Sequence, residues 1–211
     1  MRGPDPKPEP LNPRNIRREV SLITDDERQK IFRQQGVTIW LTGFSGSGKS
    51  TIAKALERHL VTGCHYCFIL DGDNIRYGLN RDLGFSADDR KENIRRIAEV
   101  ARLFNVAGMI AITAFISPYR ADRDMAREII GDERFLEVHV STALDVCESR
   151  DPKNLYKKAR AGEIQFFTGI SDPYEEPHDP ALRLDTATLA VEESVNIIYE
   201  LLKKRGVFGS A

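Results

Sequence analysis

The chain has 211 residues, 41% of them apolar and 30% charged, and its 31 Lys+Arg nearly cancel 32 Asp+Glu. That length fits one domain with a short appended arm, and so even a charge balance disfavours a large nucleic-acid surface. No apolar run approaches the roughly 20 residues that span a bilayer. The N-terminus also lacks the apolar core of a secretory signal, which points to the cytoplasm or another intracellular compartment, a plastid included.

Residues 1–13 are rich in proline and poor in apolar side chains, so they cannot repay the entropy of ordering. Residues 1–20 are therefore expected to be a flexible leader or linker, left from a longer polypeptide or from expression, ahead of a domain over 21–211. Within that domain the segments 37–41, 66–70, 109–115 and 135–140 are short, apolar and rich in β-branched or aromatic residues, as buried strands are. Amphipathic stretches at 50–60, 89–104, 120–130, 144–150 and 191–204 alternate with them or follow them and read as helices. Strand and helix in alternation predict an α/β fold with a parallel sheet and helices on both faces. Cys64 and Cys67 have CxxC spacing, but no second ligand pair and no helix start accompany them, so they are read as packing residues.

Gly43-Phe44-Ser45-Gly46-Ser47-Gly48-Lys49-Ser50 is a full GxxxxGK[ST] match, directly after one expected strand and directly before a helix. Glycines at 43, 46 and 48 let the backbone approach a phosphate, whose charge the amide N–H groups of this loop and of Thr51 can solvate. Lys49 reaches the β- and γ-phosphates, and the Ser50 hydroxyl suits Mg²⁺. Thr51 stands where a dinucleotide fingerprint would have its third glycine, and no NKxD-type segment points to guanine, so ATP is the expected nucleotide.

The next strand ends in Asp71-Gly72-Asp73-Asn74, at the carboxyl edge where parallel sheets bind ligands. One carboxylate can serve a metal while the other takes the proton of an attacking hydroxyl. Asp73 is assigned the base, and Asp71 the metal-binding or structural role. The competing reading is a solvated turn that caps a short helix.

With these segments in view, the chain closely resembles the adenosine 5′-phosphosulfate (APS) kinases. The resemblance runs through Asp71 to Arg76, Leu83-Gly84-Phe85, the segments 89–96, 116–120 and 156–162, Phe167-Thr168-Gly169-Ile170 and Asp172-Pro173-Tyr174-Glu175. It implies a P-loop NTPase-type sheet with a mobile lid over about 155–180. It also implies MgATP-dependent phosphorylation of the APS 3′-hydroxyl to give 3′-phosphoadenosine 5′-phosphosulfate (PAPS), in sulfate activation. By resemblance Phe85 and Phe167 sandwich the APS adenine. Arg76, Arg90 and Asn93 hold its polar groups, and Ile116 and Ser117 line the same side. Arg150 lies near the ATP adenine, Lys157 and Arg160 belong to the lid, and Arg95 and Arg96 are a solvated helix face.

The resemblance further implies a homodimer and fusion to, or cooperation with, ATP sulfurylase. The chain departs from the family pattern at Gln165, where a lysine is usual, and the adjacent Phe166 competes with Phe167 for the stacking role. Two other functions are weighed: a kinase for another small acceptor, and an inactive nucleotide-sensing module of a fused sulfate-activating protein. Intact Lys49, Ser50, Asp71 and Asp73 favour catalysis.

Overall fold

The computed structural model describes residues 19–209, so the expected leader lies, but for its last two residues, outside the described residues. Four strands fall where alternation placed them: β1 (Thr38–Thr42), β2 (Cys67–Asp71), β3 (Ile110–Ala114) and β4 (Phe135–Val140). A fifth, β5 (Leu182–Leu184), completes a sheet in the order β2-β3-β1-β4-β5, and every neighbouring pair is parallel. All residues of β1, β3 and β4 are buried, because parallel strands covered on both faces have no solvent side to mark with polar residues.

The two faces divide the strand side chains by their period of two. Ile39 and Leu41 of β1 pack with Ile52, Leu56 and Leu60 of α2 (Lys49–Thr62) and with Ile198 and Leu202 of α8 (Val191–Lys204). On the other face Trp40 packs with Ile94, Ile97 and Ala101 of α4 (Ala87–Val106) and with Ala126 and Ile130 of α5 (Arg120–Ile130). From β1 the chain travels to one side of the sheet, and from β4 to the other. This reversal opens a crevice at the carboxyl ends of the strands, where α/β sheets bind ligands.

Five further elements have weaker sequence signals. α1 (Asp25–Phe32) buries none of its residues and is held by a capping box, Thr24 Oγ1 accepting from the Glu27 amide and Glu27 Oε2 from the Thr24 amide. α3 (Gly72–Tyr77) and α7 (Leu155–Arg160) are six residues each, and β5 is three. A 3₁₀ turn (Asp132–Arg134) leads into β4, after which α6 (Leu144–Arg150) stands where a helix was expected. Cys67 lies half-buried on β2 with its thiol pushed up to about 11 by burial, and Cys64 is exposed. Among the described residues no group of three or more His, Cys, Asp or Glu is placed to hold a metal, and no helix is long and apolar enough to cross a membrane.

One buried ion pair braces the crevice wall. Arg123 of α5 is 2% exposed, and its guanidinium donates to Glu137 Oε1 at 2.7 Å and to the carbonyls of Ser117 and Glu175 at 2.6 Å each. Glu137→Ala would strand this cation in the core, and a loss of about 3–5 kcal/mol is expected for breaking such a pair from one side. Urea denaturation measures it; a loss under about 1 kcal/mol would mean that water or the neighbouring carbonyls compensate the arginine.

Candidate active site

The phosphate loop leaves β1 through Gly43 and enters α2 through Gly48, which sits in the left-handed region at φ 101° as the helix N-cap. Gly43 has φ 148°, and a Cβ there would lie 2.4 Å from the Val140 carbonyl oxygen, so only glycine lets the loop pass the end of β4. Lys49, the first residue of α2, folds back over this loop. Its Nζ donates to the carbonyls of Gly43 at 2.8 Å and Phe44 at 2.6 Å and to Ser47 Oγ at 3.4 Å. Burial lowers its pKa from the usual lysine value to about 8, since the low-polarity surroundings disfavour the charged form. Ser45 is tied by its carbonyl to the Tyr156 hydroxyl at 2.9 Å; Ser47 is buried, whereas Ser50 and Thr51 are exposed in the first turn of α2.

The carboxylates meet the loop from β2. Ser50 Oγ donates to Asp71 Oδ2 at 2.8 Å, and Asp71 Oδ1 accepts from the Asp73 amide at 3.1 Å. Asp71 is thus the N-cap of α3, so one oxygen of its carboxylate caps the helix while the other meets Ser50. Asp73 is exposed, and its Oδ2 forms an ion pair with Lys153 Nζ.

In the loop between α3 and α4 Phe85 is 62% exposed, with the Arg76 guanidinium 4.5 Å from its ring centroid. Burial, followed by the nearby Arg90 charge, lowers the Arg76 pKa, so two cations are crowded beside one exposed aromatic face. Arg90 Nε donates to the Phe85 carbonyl at 3.0 Å, and Arg90 also bonds the Phe166 carbonyl and Thr168 Oγ1. The buried Asn93 accepts at Oδ1 from Asn80 Nδ2 at 3.0 Å. The loop after β3 is fastened to β1: Thr42 Oγ1 donates to the Ile116 carbonyl at 2.7 Å, and Trp40 Nε1 donates to Ser117 Oγ at 3.2 Å.

The segment expected to form a lid begins with α7, where Lys157 is exposed and Arg160 is paired with Glu148 at 2.9 Å. Its far part is strapped to the sheet: the Tyr119 hydroxyl donates to Asp172 Oδ2, Arg120 to the Glu176 carbonyl, and Tyr174 OH lies 3.0 Å from Thr42 Oγ1. Phe167 is 7% exposed, its ring edge-on to Tyr156 at 5.0 Å. The exposed aromatic of this segment is Phe166, at 57% and with φ 55°. A face-on stack at Phe167 therefore requires the small cluster around Tyr156 to open.

Sequence reading missed Lys153 and Thr186. Lys153 lies in an Asp-Pro-Lys turn with no spacing rule that aims it at Asp73, and Thr186 follows a strand too short to leave a pattern. Arg150 donates to both oxygens of Thr186, at 2.7 Å to Oγ1 and 2.9 Å to the carbonyl.

A parallel sheet in this order, with a lysine-bearing glycine loop after its first strand and paired carboxylates after its second, defines a P-loop phosphotransferase. The chain belongs to the adenylylsulphate kinase family, whose family model matches residues 35–185. It is 58% identical to a probable adenylyl-sulfate kinase of Halalkalibacterium halodurans over 180 residues, covering 85% of this chain and 89% of that protein. An adenylyl-sulfate kinase of Phocaeicola vulgatus is 59% identical over 181 residues, with 86% and 89% coverage. Among solved structures, the APS kinase of Mycobacterium tuberculosis in complex with AMPPNP and APS superposes with a TM-score of 0.78 at 46% identity, covering 81% of this chain and 99% of that one.

Proposed function

We propose that the chain transfers the γ-phosphoryl group of MgATP to the 3′-hydroxyl of APS, giving PAPS and ADP. The observation that carries this reading is the meeting, at the carboxyl edge of one sheet, of the Lys49 loop, the Ser50–Asp71 contact and the Arg76–Phe85–Arg90 cluster. A relative solved with AMPPNP and APS shares this fold at 46% identity.

In the proposed reaction the loop amides and Lys49 hold the ATP phosphates, and Arg150 stands on the adenine side. Ser50 Oγ and Asp71 Oδ2, 2.8 Å apart at an exposed position, form an oxygen donor set that fits Mg²⁺, which takes one or two protein ligands and completes its shell with phosphate and water. When bound, that ion neutralises phosphate charge. Asp73 accepts the proton of the 3′-hydroxyl as its oxygen bonds the γ-phosphorus, and the bond from that phosphorus to the β,γ-bridging oxygen breaks to release ADP. Arg76, Arg90 and Asn93 orient APS, with Ile116 and Ser117 beside it. Phe85 offers the adenine one aromatic wall, and Phe166 with Phe167 forms the lid side. Within residues 155–180, closure of the part that carries Lys157 and Arg160, ahead of the strap at Asp172 and Tyr174, excludes water.

ADP release measured with MgATP and APS, beside AMP, CMP and shikimate as acceptors, tests the assignment. Turnover confined to APS with PAPS as product is expected. Turnover with another acceptor would replace the substrate, and nucleotide binding without turnover would make the chain a sensing module. Phe85→Ala is expected to weaken APS by about 1–3 kcal/mol, the worth of one aromatic–base stack, and ATP much less. Equal weakening of the two nucleotides in steady-state titrations would make Phe85 a folding residue.

A further inference from the structure

Behind the phosphate loop, two threonine hydroxyls form a directed chain. The Thr186 amide donates to Thr142 Oγ1 at 3.1 Å, the two hydroxyl oxygens are 2.9 Å apart, and Thr186 Oγ1 donates to the Ser47 carbonyl at 2.9 Å. Each hydroxyl has a single proton. The Ser47 carbonyl lies 2.9 Å from Thr186 Oγ1 and 3.4 Å from Thr142 Oγ1; with the nearer hydroxyl donating to it, Thr142 donates to Thr186. Thr186 Oγ1 then also accepts from Arg150 Nη1 at 2.7 Å, and the Thr186 carbonyl accepts from Arg150 Nη2 at 2.9 Å. The donor and both acceptor positions of this hydroxyl are filled. Its methyl group closes the other side, because a Cβ on Gly48 would meet Thr186 Cγ2 at 3.1 Å.

From this arrangement we infer that Thr186 is a positioning residue that ties the phosphate loop and the Arg150 guanidinium into one unit. It thereby sets the spacing between the phosphate and adenine contacts of ATP. It touches the loop through a carbonyl, and this leaves the loop amides free to face phosphate. It holds Arg150 at two points, and this fixes the plane of a side chain that is otherwise exposed and long. Thr142 is 1% exposed and orients the hydroxyl from behind. The acceptor-side residues Arg76, Phe85 and Arg90 share no hydrogen bond with this network, so its loss acts on one substrate. The inference rests on the proposed seating of ATP over the Lys49 loop.

The test compares Thr186→Val, which keeps the shape and removes both hydrogen-bonding roles, with Thr186→Ser, which keeps them. Lys49→Ala serves as the control for nucleotide seating. Thr186→Val is expected to raise the ATP KM and the calorimetric Kd for ADP about tenfold, as several hydrogen bonds, one to a charged donor, are lost together. The APS KM should stay within about twofold, and serine should restore nucleotide binding to within about threefold. Adding Arg150→Ala to Thr186→Val should cost less than Arg150→Ala alone, because the pair acts as a unit. Where valine impairs folding, Thr186→Ala gives the same comparison without its bulk. Unchanged ADP binding in the Thr186 variant, with Lys49→Ala weakened, overturns the positioning role alone. Normal ADP binding in Lys49→Ala overturns the seating of ATP and the inference with it. A parallel rise in both KM values that serine fails to repair reduces Thr186 to a structural residue.

Discussion

Replacing Asp73 by Asn is expected to lower kcat by about 10²–10⁴-fold, the usual worth of a positioned general base, with the KM for ATP changed only a few-fold. Asp73 is exposed in the first turn of α3, two residues after β2 ends, and the capping bond from its amide to Asp71 fixes where its side chain starts. Asn keeps the size and this backbone contact but cannot take a proton. The ion pair to Lys153 offers the alternative that the carboxylate only anchors a cation. Lys153→Ala separates the two: it breaks the pair while leaving the base, so it should retain more turnover than Asp73→Asn. Single-turnover measurement with saturating ATP and APS reads the chemical step directly. Near-normal turnover of Asp73→Asn would remove Asp73 from the role, and equal losses in the two variants would make the ion pair, rather than proton acceptance, the important feature.

Lys49→Met is expected to lower kcat/KM for ATP by about 10²–10³-fold, the scale set by removing one preorganised electrostatic contact in a dry site. The wild-type protein should show a matching pH dependence. In the free protein burial holds the Lys49 pKa at about 8, while phosphate oxygens favour the ammonium and raise that pKa in the complex. Below about 8 the lysine is already protonated and affinity is flat. Above it, binding must first add a proton, so the Kd for ATP should rise up to tenfold per pH unit until the complex pKa is reached. Proton uptake on binding at pH 8–9, read by calorimetry in buffers of different ionisation enthalpy, checks the sign. Lys49→Met should abolish that uptake. Uptake that persists in the variant would assign the proton to another group.

The strongly patterned elements were legible in the sequence. Helices 120–130, 144–150 and 191–204 and strand 135–140 occupy the residues that periodicity indicated. The others differ by one or two residues at their ends, where a cap rather than a pattern decides the boundary. Ser86, whose side chain accepts from the Asp89 amide, starts α4 earlier than its apolar stripe does. α1 was missed because no residue of it is buried, although Thr24 and Glu27 carried a capping signal. β5 was missed because three residues cannot display a period, and only the register of Val138 with Leu182 and Val140 with Leu184 makes them a strand.

The same division runs through the site. The glycine spacing around Lys49, the hydroxyl of Ser50 and the carboxylates after β2 are local facts: each depends on residues a few positions apart, and steric and phosphate chemistry restrict what can stand there. The sequence by itself therefore determined the class of fold, the nucleotide loop and, through an ordered set of motifs, the family. Only the tertiary structure decided which distant groups meet them. Lys153 reaches Asp73 across 80 positions and Thr186 reaches Ser47 across 139. The ring of Phe167 is turned into a cluster with Tyr156, leaving Phe166 to face outward. Such contacts depend on how the sheet order brings β5 and the lid beside β4 and the phosphate loop, and a hydrogen bond or a buried ring leaves no spacing in the chain to announce it.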